Sequence, residues 1–225
     1  MRAKGSEVKI LFLNPNASAH MTQSVVATAR ALLPEAEILG WTNADGPPAI
    51  QGPEDGAAAI PGLMALLPKA HEESVEAIVI ACFDDTGLEI LRAAAHCPVI
   101  GIGEAAYHFA LLKGQSYGVV TTLDVSVPVI EGNIQRLGFE AACLAVSASG
   151  IAVLEVEEGR PEVLDHLTKE IKAMGARGAQ AVILGCAGMS AHHATLTHSS
   201  GVVLIDGVRA ATLLAQALVV DQHSV

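Results

Sequence analysis

The sequence predicts an α/β fold of two pseudo-symmetric lobes, each a mostly parallel sheet flanked by helices, with an active-site cleft between the lobes. Three observations predict this fold class. Apolar runs rich in Val and Ile alternate with Ala-rich stretches of helical periodicity along the 225 residues. Aromatic residues make up only 3% of the chain, so small aliphatic side chains form the core, as in layered α/β proteins. The same order of elements then restarts near the middle of the chain.

The first half of the chain contains the first round of this alternation. Four apolar runs rich in β-branched residues are predicted strands, at residues 8–14, 36–42, 76–82 and 98–103. The stretches between them are predicted helices, at residues 18–33, 57–74 and 87–96. Ser18 suits the N-cap of the first helix, and Pro61 interrupts or begins the second. A loop rich in Gly and Pro, residues 46–56, precedes that second helix.

The second half of the chain repeats the alternation. Its predicted strands cover residues 116–122, 141–149, 179–186 and 201–207. Its predicted helices cover residues 126–139, 161–178 and 208–220. Alternation of this kind indicates a parallel sheet that helices cover on both faces.

A duplication explains the restart. When Cys82 is aligned with Cys186, an offset of 104 positions, residues 77–80 fall on the equally apolar residues 181–184. Two further pairs then align, Gly103 with Gly207 and, after a small difference in length, Asn14 with Thr121. Ligands of such sheets bind beyond the carboxyl ends of the strands. The repeat therefore predicts that the two cysteines face each other across one cleft.

The overall charge and the apolar pattern argue against several classes of function. The formal net charge of −11, without any cluster of Lys and Arg, argues against a nucleic-acid partner and an anionic membrane surface. No apolar run approaches the roughly 20 residues of a membrane span. The apolar run near the N-terminus, of about five residues, is too short for a signal-peptide core, so we expect a cytoplasmic protein. Without a CxxC motif, the four cysteines predict neither a zinc site nor disulfides.

Two thiols that face each other across a cleft suit racemisation. A thiolate removes a proton from one face of a carbon centre, and the opposing thiol delivers a proton to the other face. The pKa of a free thiol, about 8.5, is close to the working range of a general base. Backbone N–H groups in the turns after Cys82 and Cys186 can lower that pKa and stabilise an enolate oxygen. A single strand-end cysteine is more often a packing residue, the role that we assign to Cys97 and Cys143.

Polar residues at other strand ends are candidate substrate contacts. Asn14 and Asn16, in a turn that Pro15 rigidifies, can hydrogen-bond a carbonyl, and the hydroxyls of Thr121 and Thr122 can do the same. Ordinary turn chemistry explains these residues equally well.

Acidic and histidine side chains near the cysteines have alternative roles. Asp84 and Asp85 either bind substrate N–H groups, repel an anion or cap the helix that begins near Gly87, and we favour capping for one of them. Glu104 and Asp206 lie near matching strand ends, where a salt bridge or a cap is favoured over support of the site. The adjacent residues 192 and 193 are both His but lack metal-ligand spacing. No GxGxxG motif is present, so we expect neither a metal nor a nucleotide cofactor.

Four segments together resemble the hydantoin racemase branch of the Asp/Glu/hydantoin racemase family: "LNPNASAHMT", "ACFDDTGLEILRAAAHCPVIGIGEAA", "YGVVTTLDVSVPVIEGNIQRLGF" and "ILGCAGMS". The resemblance covers nearly the whole chain in order. It implies a C-terminal helix that crosses back to the first lobe, so that lobe 1 comprises residues 1–103 and 207–225 and lobe 2 comprises residues 104–206. It also implies cofactor-independent racemisation by Cys82 and Cys186.

The resemblance further implies which residues form the substrate pocket. They are the first strand end, the residues that follow each cysteine and the strand end of the second half: Asn14, Pro15, Asn16, Phe83, Asp84, Ala187, Gly188, Thr121 and Thr122. The motifs Cys-Phe-Asp and Cys-Ala-Gly differ from the Cys-Asn-Thr and Cys-Thr-His types of the family's amino-acid racemases, which argues against aspartate or glutamate as substrate. The presence of both cysteines argues against the decarboxylases of the family, which have one.

The predicted function is therefore racemisation of 5-substituted hydantoins through an enolate. Such a ring is mostly neutral and needs no cationic clamp, and neither cysteine turn contains Lys or Arg. Racemisation of allantoin or an amino acid stays open as the nearest alternative. A non-catalytic two-lobed binding protein and a thiol-redox protein are alternatives of other classes. We expect a small-molecule substrate and a homo-oligomer.

Overall fold

The computed structural model describes residues 8–223, so the outer ends of predicted lobe 1, residues 1–7 and 224–225, lie outside the described part. The first sheet contains strands β1 (Lys9–Asn14), β2 (Glu37–Thr42), β3 (Ala77–Ile80) and β4 (Val99–Gly101). Its connections contain helices α1 (Ala19–Leu32), α2 (Pro53–Glu72) and α3 (Leu88–Ala94), and helix α4 (Ile102–Leu112) follows β4.

The second sheet contains strands β5 (Tyr117–Thr121), β6 (Cys143–Ala148), β7 (Ala181–Leu184) and β8 (Leu204–Asp206). Its connections contain helices α5 (Val127–Leu137), α6 (Val153–Glu158), α7 (Pro161–Ala176) and α8 (His193–Ser200), and helix α9 (Gly207–Gln222) follows β8. Three 3₁₀ turns complete it, at Asp124–Ser126, Glu140–Ala142 and Ala187–His192.

The two sheets have the same topology. Their strand orders are β2-β1-β3-β4 and β6-β5-β7-β8, and every neighbouring pair is parallel. Residues 77–80 and 181–184, which the sequence repeat aligns, form the equivalent strands β3 and β7. The predicted fold class is confirmed.

Several predicted boundaries were wrong. The predicted strands at 98–103 and 201–207 are three-residue strands, and α4 and α9 begin at Ile102 and Gly207. The predicted second helix begins earlier, at Pro53, and runs through Pro61 without a break. Helix α4 was not predicted because apolar residues lie on its exposed side, at Leu111 and Leu112, as well as on its buried side, where Tyr107 is fully buried. Its sequence therefore has little amphipathic contrast. Helices α6 and α8 were also not predicted, because α6 has only six residues and α8 buries only Leu196 of its eight residues, so neither shows an apolar stripe.

The two helices at the ends of the repeats connect the sheets. Helix α9 packs against α1, α4 and strand β3 of the first sheet, whereas α4 also contacts α5 and strand β8 of the second. Tyr107 of α4 stacks on Tyr117 of β5, with ring centroids 6.0 Å apart, and contacts the ring of Phe139 at 5.8 Å. Aromatic pairs of this kind add about 0.5–1.5 kcal/mol each to the burial of their surface. The lobe boundaries at 103/104 and 206/207 stay a proposal, and the first of them falls inside α4.

Candidate active site

One pocket gathers the carboxyl ends of strands from both sheets. It contains about 330 Å3 of atom-free space, part of it open to solvent. Its lining comes from the segments after β1, β3, β5 and β7, from α1 and from loops near α2, α5 and α6: Asn16, Met21, Ile50, Ala81, Cys82, Phe83, Asp84, Thr121, Thr122, Ser126, Val153, Gly185, Cys186 and Ala187. Parallel strands bring these distant segments together because their carboxyl ends share an edge of each sheet.

Cys82 and Cys186 reach this pocket through similar turns. Each lies two residues beyond a fully buried strand, β3 or β7. The carbonyl of Cys82 accepts a 3.0 Å hydrogen bond from Asp85 N, and that of Cys186 accepts a 3.1 Å hydrogen bond from Met189 N. Both thiols are free and partly buried. They are near enough that charge on Cys186 raises the pKa of the Cys82 thiol, after the larger effects of burial and of Asp84.

Burial is the dominant influence on both thiols. It raises the pKa of Cys82 well above its usual range, and the Asp84 carboxylate raises it further. Burial likewise raises the pKa of Cys186 to about 12, assisted by the Asp84 and Glu157 carboxylates. Backbone N–H groups of Gly188 and Met189 lower the pKa of Cys186, which is the direction that the sequence predicted. The effect of burial, which raises this pKa, is larger. At neutral pH both groups are therefore thiols in the resting site.

Asp84 is the charged side chain of the pocket lining. Burial raises its pKa to about 7, against a lowering hydrogen bond from Ser126 Oγ, 3.5 Å from Asp84 Oδ2. Its carbonyl accepts a 2.9 Å hydrogen bond from Asn133 Nδ2, which fixes the turn after Cys82 against α5. Asp84 therefore changes charge near neutral pH beside both thiols.

Asp85 caps a helix, but a different one from the helix near Gly87 that the sequence suggested. Its two carboxylate oxygens accept hydrogen bonds of 2.9 Å from Gly103 N and 2.8 Å from Glu104 N. These are free N–H groups in the first turn of α4, which starts beside the Cys82 turn because β4 pairs with β3. Burial raises the pKa of Asp85 to about 8, although the two N–H groups lower it.

The equivalent turn after Cys186 is tied to α9. Asp206 accepts a 2.8 Å hydrogen bond from Val208 N as the N-cap of α9, and Ser190 Oγ donates a 2.6 Å hydrogen bond to it. Glu104 forms a 2.6 Å ion pair with Arg92, which is one of the two roles that the sequence favoured for it. Each cysteine turn is thus joined to the start of a helix that packs between the sheets.

The predicted polar contacts divide into pocket lining and support. Asn16 lines the pocket, whereas Asn14 and Pro15 do not. Asn14 Nδ2 donates to Asn16 Oδ1 at 2.9 Å and to Thr22 Oγ1 at 3.0 Å, so Asn14 orients Asn16. Among residues 8–223, the Nδ2 of Asn16 donates only to the sulfur of Met21, at 3.3 Å, which is a weak acceptor.

Most of the other predicted contact residues lie in the pocket lining. Thr121 and Thr122 line the pocket, and Thr121 Oγ1 donates to Gly185 O at 2.9 Å. Phe83 and Ala187 contribute to the lining, but the Phe83 ring packs edge-on against Tyr107, with centroids 5.8 Å apart. Gly188 lies outside the lining and acts through its N–H on Cys186.

Sequence reasoning missed six lining residues: Met21, Ile50, Ala81, Ser126, Val153 and Gly185. Ala81, Ser126 and Gly185 are close in sequence to residues that were considered, so the strand-end rule could have found them. Ile50 lies in the Gly/Pro-rich loop and Val153 in the short helix α6. No sequence signal marks these two, because only the folded chain brings their segments to the pocket.

Helix α6, which belongs to the second half of the chain, is hydrogen-bonded beside the pocket to residues of the first half. Glu157, nearly buried, has Oε1 at 2.7 Å from His20 Nδ1, and Ser18 Oγ donates to Oε2 at 3.3 Å. At the other end of α6, the N–H of Val153 donates to Gln51 Oε1 at 3.2 Å. These contacts hold α6 and its lining residue Val153 over the site.

Metal ligands are not assembled in the described part of the chain. Between residues 8 and 223, no three His, Cys, Asp or Glu side chains gather in a way that could hold a metal ion. His192 lies against the backbone, with Nε2 3.2 Å from Glu157 O. Among the same residues, no helix combines the length and the apolar character that crossing a bilayer requires.

Comparison with known protein families identifies the chain. The profile described as Asp/Glu/Hydantoin racemase matches residues 10–215. The chain belongs to this family. A relative named hydantoin racemase, from Rhizobium meliloti, is 40% identical over 211 residues, which are 93% of this chain and 88% of that protein. The chain is thus an isomerase of the racemase class.

Solved structures of the family superimpose closely on this racemase fold. The allantoin racemase from Klebsiella pneumoniae matches with a TM-score of 0.90 and 36% identity, over 96% of this chain and 89% of that one. The allantoin racemase from Pseudomonas fluorescens matches with a TM-score of 0.89 and 33% identity, over 95% and 92%. The predicted family membership is confirmed.

Proposed function

We propose that the protein racemises 5-substituted hydantoins without a cofactor, with Cys82 and Cys186 alternating as base and acid. One observation carries this proposal: cysteines from equivalent positions of two sheets line the same pocket. The likeness to a hydantoin racemase over most of the chain supports the substrate class.

The reaction moves one proton out and one proton in. One cysteine first loses its thiol proton to solvent. As thiolate it then takes the proton from C5 of the ring, and the electron pair of the C5–H bond passes to the adjacent carbonyl as an enolate. The other cysteine donates its S–H proton to the opposite face of C5, which inverts the centre and leaves that sulfur as thiolate. The reverse reaction exchanges the roles, as the near-symmetric turns allow. Proton exchange with solvent restores the starting state.

Hydrogen-bond donors around the thiols suit the enolate. Within the described part of the chain, the Nδ2 of Asn16 is hydrogen-bonded only to a thioether, so it is available to a ring carbonyl oxygen. Thr122, which carries a hydroxyl, is part of the same lining. Donors that already point at the oxygen lower the barrier because they need no reorganisation when charge develops.

The charge of the pocket favours a neutral ring over an amino acid. Among the described lining residues there is no Lys, Arg or His to bind an α-carboxylate, and Asp84 would repel one. Met21, Ile50 and Val153 give part of the pocket an apolar wall, which favours a carbon substituent at C5. Allantoin is the second candidate, because the structural relatives named allantoin racemase are 33–36% identical and Asp84 can accept a ureido N–H.

A substrate panel tests the proposal. Single enantiomers of benzylhydantoin, methylhydantoin, allantoin, aspartate and glutamate are incubated in heavy water, and optical rotation and C5 (or Cα) deuteration are followed. We expect loss of rotation with deuterium uptake for the hydantoins and none for the amino acids. Binding of hydantoins without exchange would instead indicate a non-catalytic binding protein. Racemisation of aspartate or glutamate alone would overturn the substrate class.

A further inference from the structure

The hydroxyl of Thr86 has no evident hydrogen-bonding role in the described fold. The residue is only 5% exposed, and its Oγ1 is buried without a hydrogen-bond partner among residues 8–223. A buried hydroxyl without a partner is unfavourable, so native proteins rarely keep one without a reason. Thr86 is not among the residues that line the pocket with the two cysteines; it borders a neighbouring cavity that shares Ile50 and Asp84 with that pocket.

The turn after Cys82 brings Thr86 back towards the thiol. The carbonyl of Cys82 accepts Asp85 N, and Asp85 takes a left-handed backbone conformation with φ of 51°. The methyl group of Thr86 lies towards α2, since a Cβ added at Gly56 would be 3.9 Å from Thr86 Cγ2. Burial and Asp84 raise the pKa of the Cys82 thiol, whereas the Thr86 hydroxyl lowers it, because a hydroxyl beside the thiol favours its charged form. Thr86 therefore lies in the same closed turn as Cys82, with a hydroxyl that the neutral thiol leaves unbonded among the described residues.

The second half of the repeat uses the equivalent hydroxyl differently. The offset of 104 positions aligns Thr86 with Ser190. Ser190 Oγ donates its hydrogen to Asp206 at 2.6 Å and so does not serve Cys186. The charged form of Cys186 is instead favoured by hydrogen bonds from the backbone N–H groups of Gly188 and Met189. At these equivalent positions, the Thr86 hydroxyl has no hydrogen bond within residues 8–223, whereas the Ser190 hydroxyl bonds the N-cap residue of α9.

We propose that Thr86 is a positioning residue that donates its O–H to the Cys82 thiolate. A thiol sulfur is a weak acceptor, whereas a thiolate accepts a charge-assisted hydrogen bond. In the resting thiol form the hydroxyl has no partner among the residues that the structure describes, and it gains one when Cys82 loses its proton. The role assigned to that thiolate in racemisation rests on the proposed function, but the hydrogen bond does not.

Two variants separate this role from a structural one. Thr86→Val keeps the shape and removes the O–H, and Thr86→Ser keeps the O–H. The proteins are treated with iodoacetamide over a pH series, and alkylation of Cys82 and Cys186 is quantified peptide by peptide in the same sample. We expect Cys82 in T86V to react about tenfold more slowly at each pH on the rising part of the profile, because a hydrogen bond to the charged form is lost.

The internal controls decide the outcome. Cys186 should react at the parent rate in every variant, and T86S should restore the Cys82 rate. The rising limb of the pH–racemisation profile should move to higher pH in T86V alone. The proposal is overturned if T86V alkylates Cys82 at the parent rate, if both cysteines slow equally, or if T86S is as slow as T86V. If the parent racemises no hydantoin, the proposed function fails, while the alkylation result still decides the role of Thr86.

Discussion

The carboxylate of Asp85 accepts a 2.9 Å hydrogen bond from the backbone N–H of Gly103, and this contact joins the turn after Cys82 to the first turn of α4. The second oxygen accepts Glu104 N at 2.8 Å. Because α4 also packs against the second sheet through Tyr107, the position of the Cys82 thiol depends on the contact between the two sheets. The corresponding link for Cys186 runs through Ser190 and Asp206.

Replacing Asp85 by Ala should destabilise the protein. The variant leaves two buried N–H groups of α4 without an acceptor, which lowers the free energy of unfolding by about 1–3 kcal/mol. Urea unfolding of parent and variant measures the difference. Asp165→Ala, at an exposed position of α7, is the matched control and should change the free energy by less than about 0.5 kcal/mol. Equal stability of the two variants would contradict the capping role.

Replacing Asp84 by Asn should shift the pH dependence of racemisation. The Asp84 carboxylate raises the pKa of both thiols in addition to the effect of burial, so removing its charge should favour the thiolate. The rising limb of the kcat profile should move to lower pH, and the rate at a fixed pH below the limb increases about tenfold per unit of that shift. Polarimetry across pH measures the position of the limb.

The matched control for this prediction is Asp124→Asn, at an exposed position of the neighbouring 3₁₀ turn, which should leave the limb unmoved. If the limb of D84N keeps its pH position or moves to higher pH, the charge of Asp84 does not raise the pKa of the thiols.

Adding a methyl group at Gly188 should disturb Cys186. A Cβ there would lie 3.3 Å from both Cα and N of Glu157, so the turn or α6 must shift. Overpacking of this kind is unfavourable by about 1–3 kcal/mol, and it displaces the N–H that serves the Cys186 sulfur. We expect G188A to lower kcat/KM at least about tenfold. Gly132→Ala, on the exposed face of α5 with open space around its Cβ, should keep the parent rate and stability or raise stability by up to about 1 kcal/mol. Parent activity in G188A would contradict the role of this turn.

The sequence predicted the parts of the site that follow from repetition and missed those that follow from packing. Cys82 and Cys186 could be paired because strand patterns around them align, and the carboxyl-end rule then placed both in one cleft. Ile50 and Val153 could not be found, since a loop and a short helix without periodicity bring them in. The cap formed by Asp85 was assigned to the wrong helix because strand pairing, and not chain order, sets its neighbour. A cytoplasmic location and a homo-oligomer stay predictions.

The central claim is that Cys82 and Cys186 share one racemisation, and isotope exchange in single variants tests it most directly. Each enantiomer of a 5-substituted hydantoin is incubated in heavy water with C82A or C186A, and C5 deuteration and optical rotation are followed together. We predict that both variants lose racemisation by about 10²–10⁴-fold. Each should retain deuterium exchange without inversion for one enantiomer only, and the two variants should act on opposite enantiomers. Racemisation at the parent rate by either variant would contradict the two-cysteine mechanism.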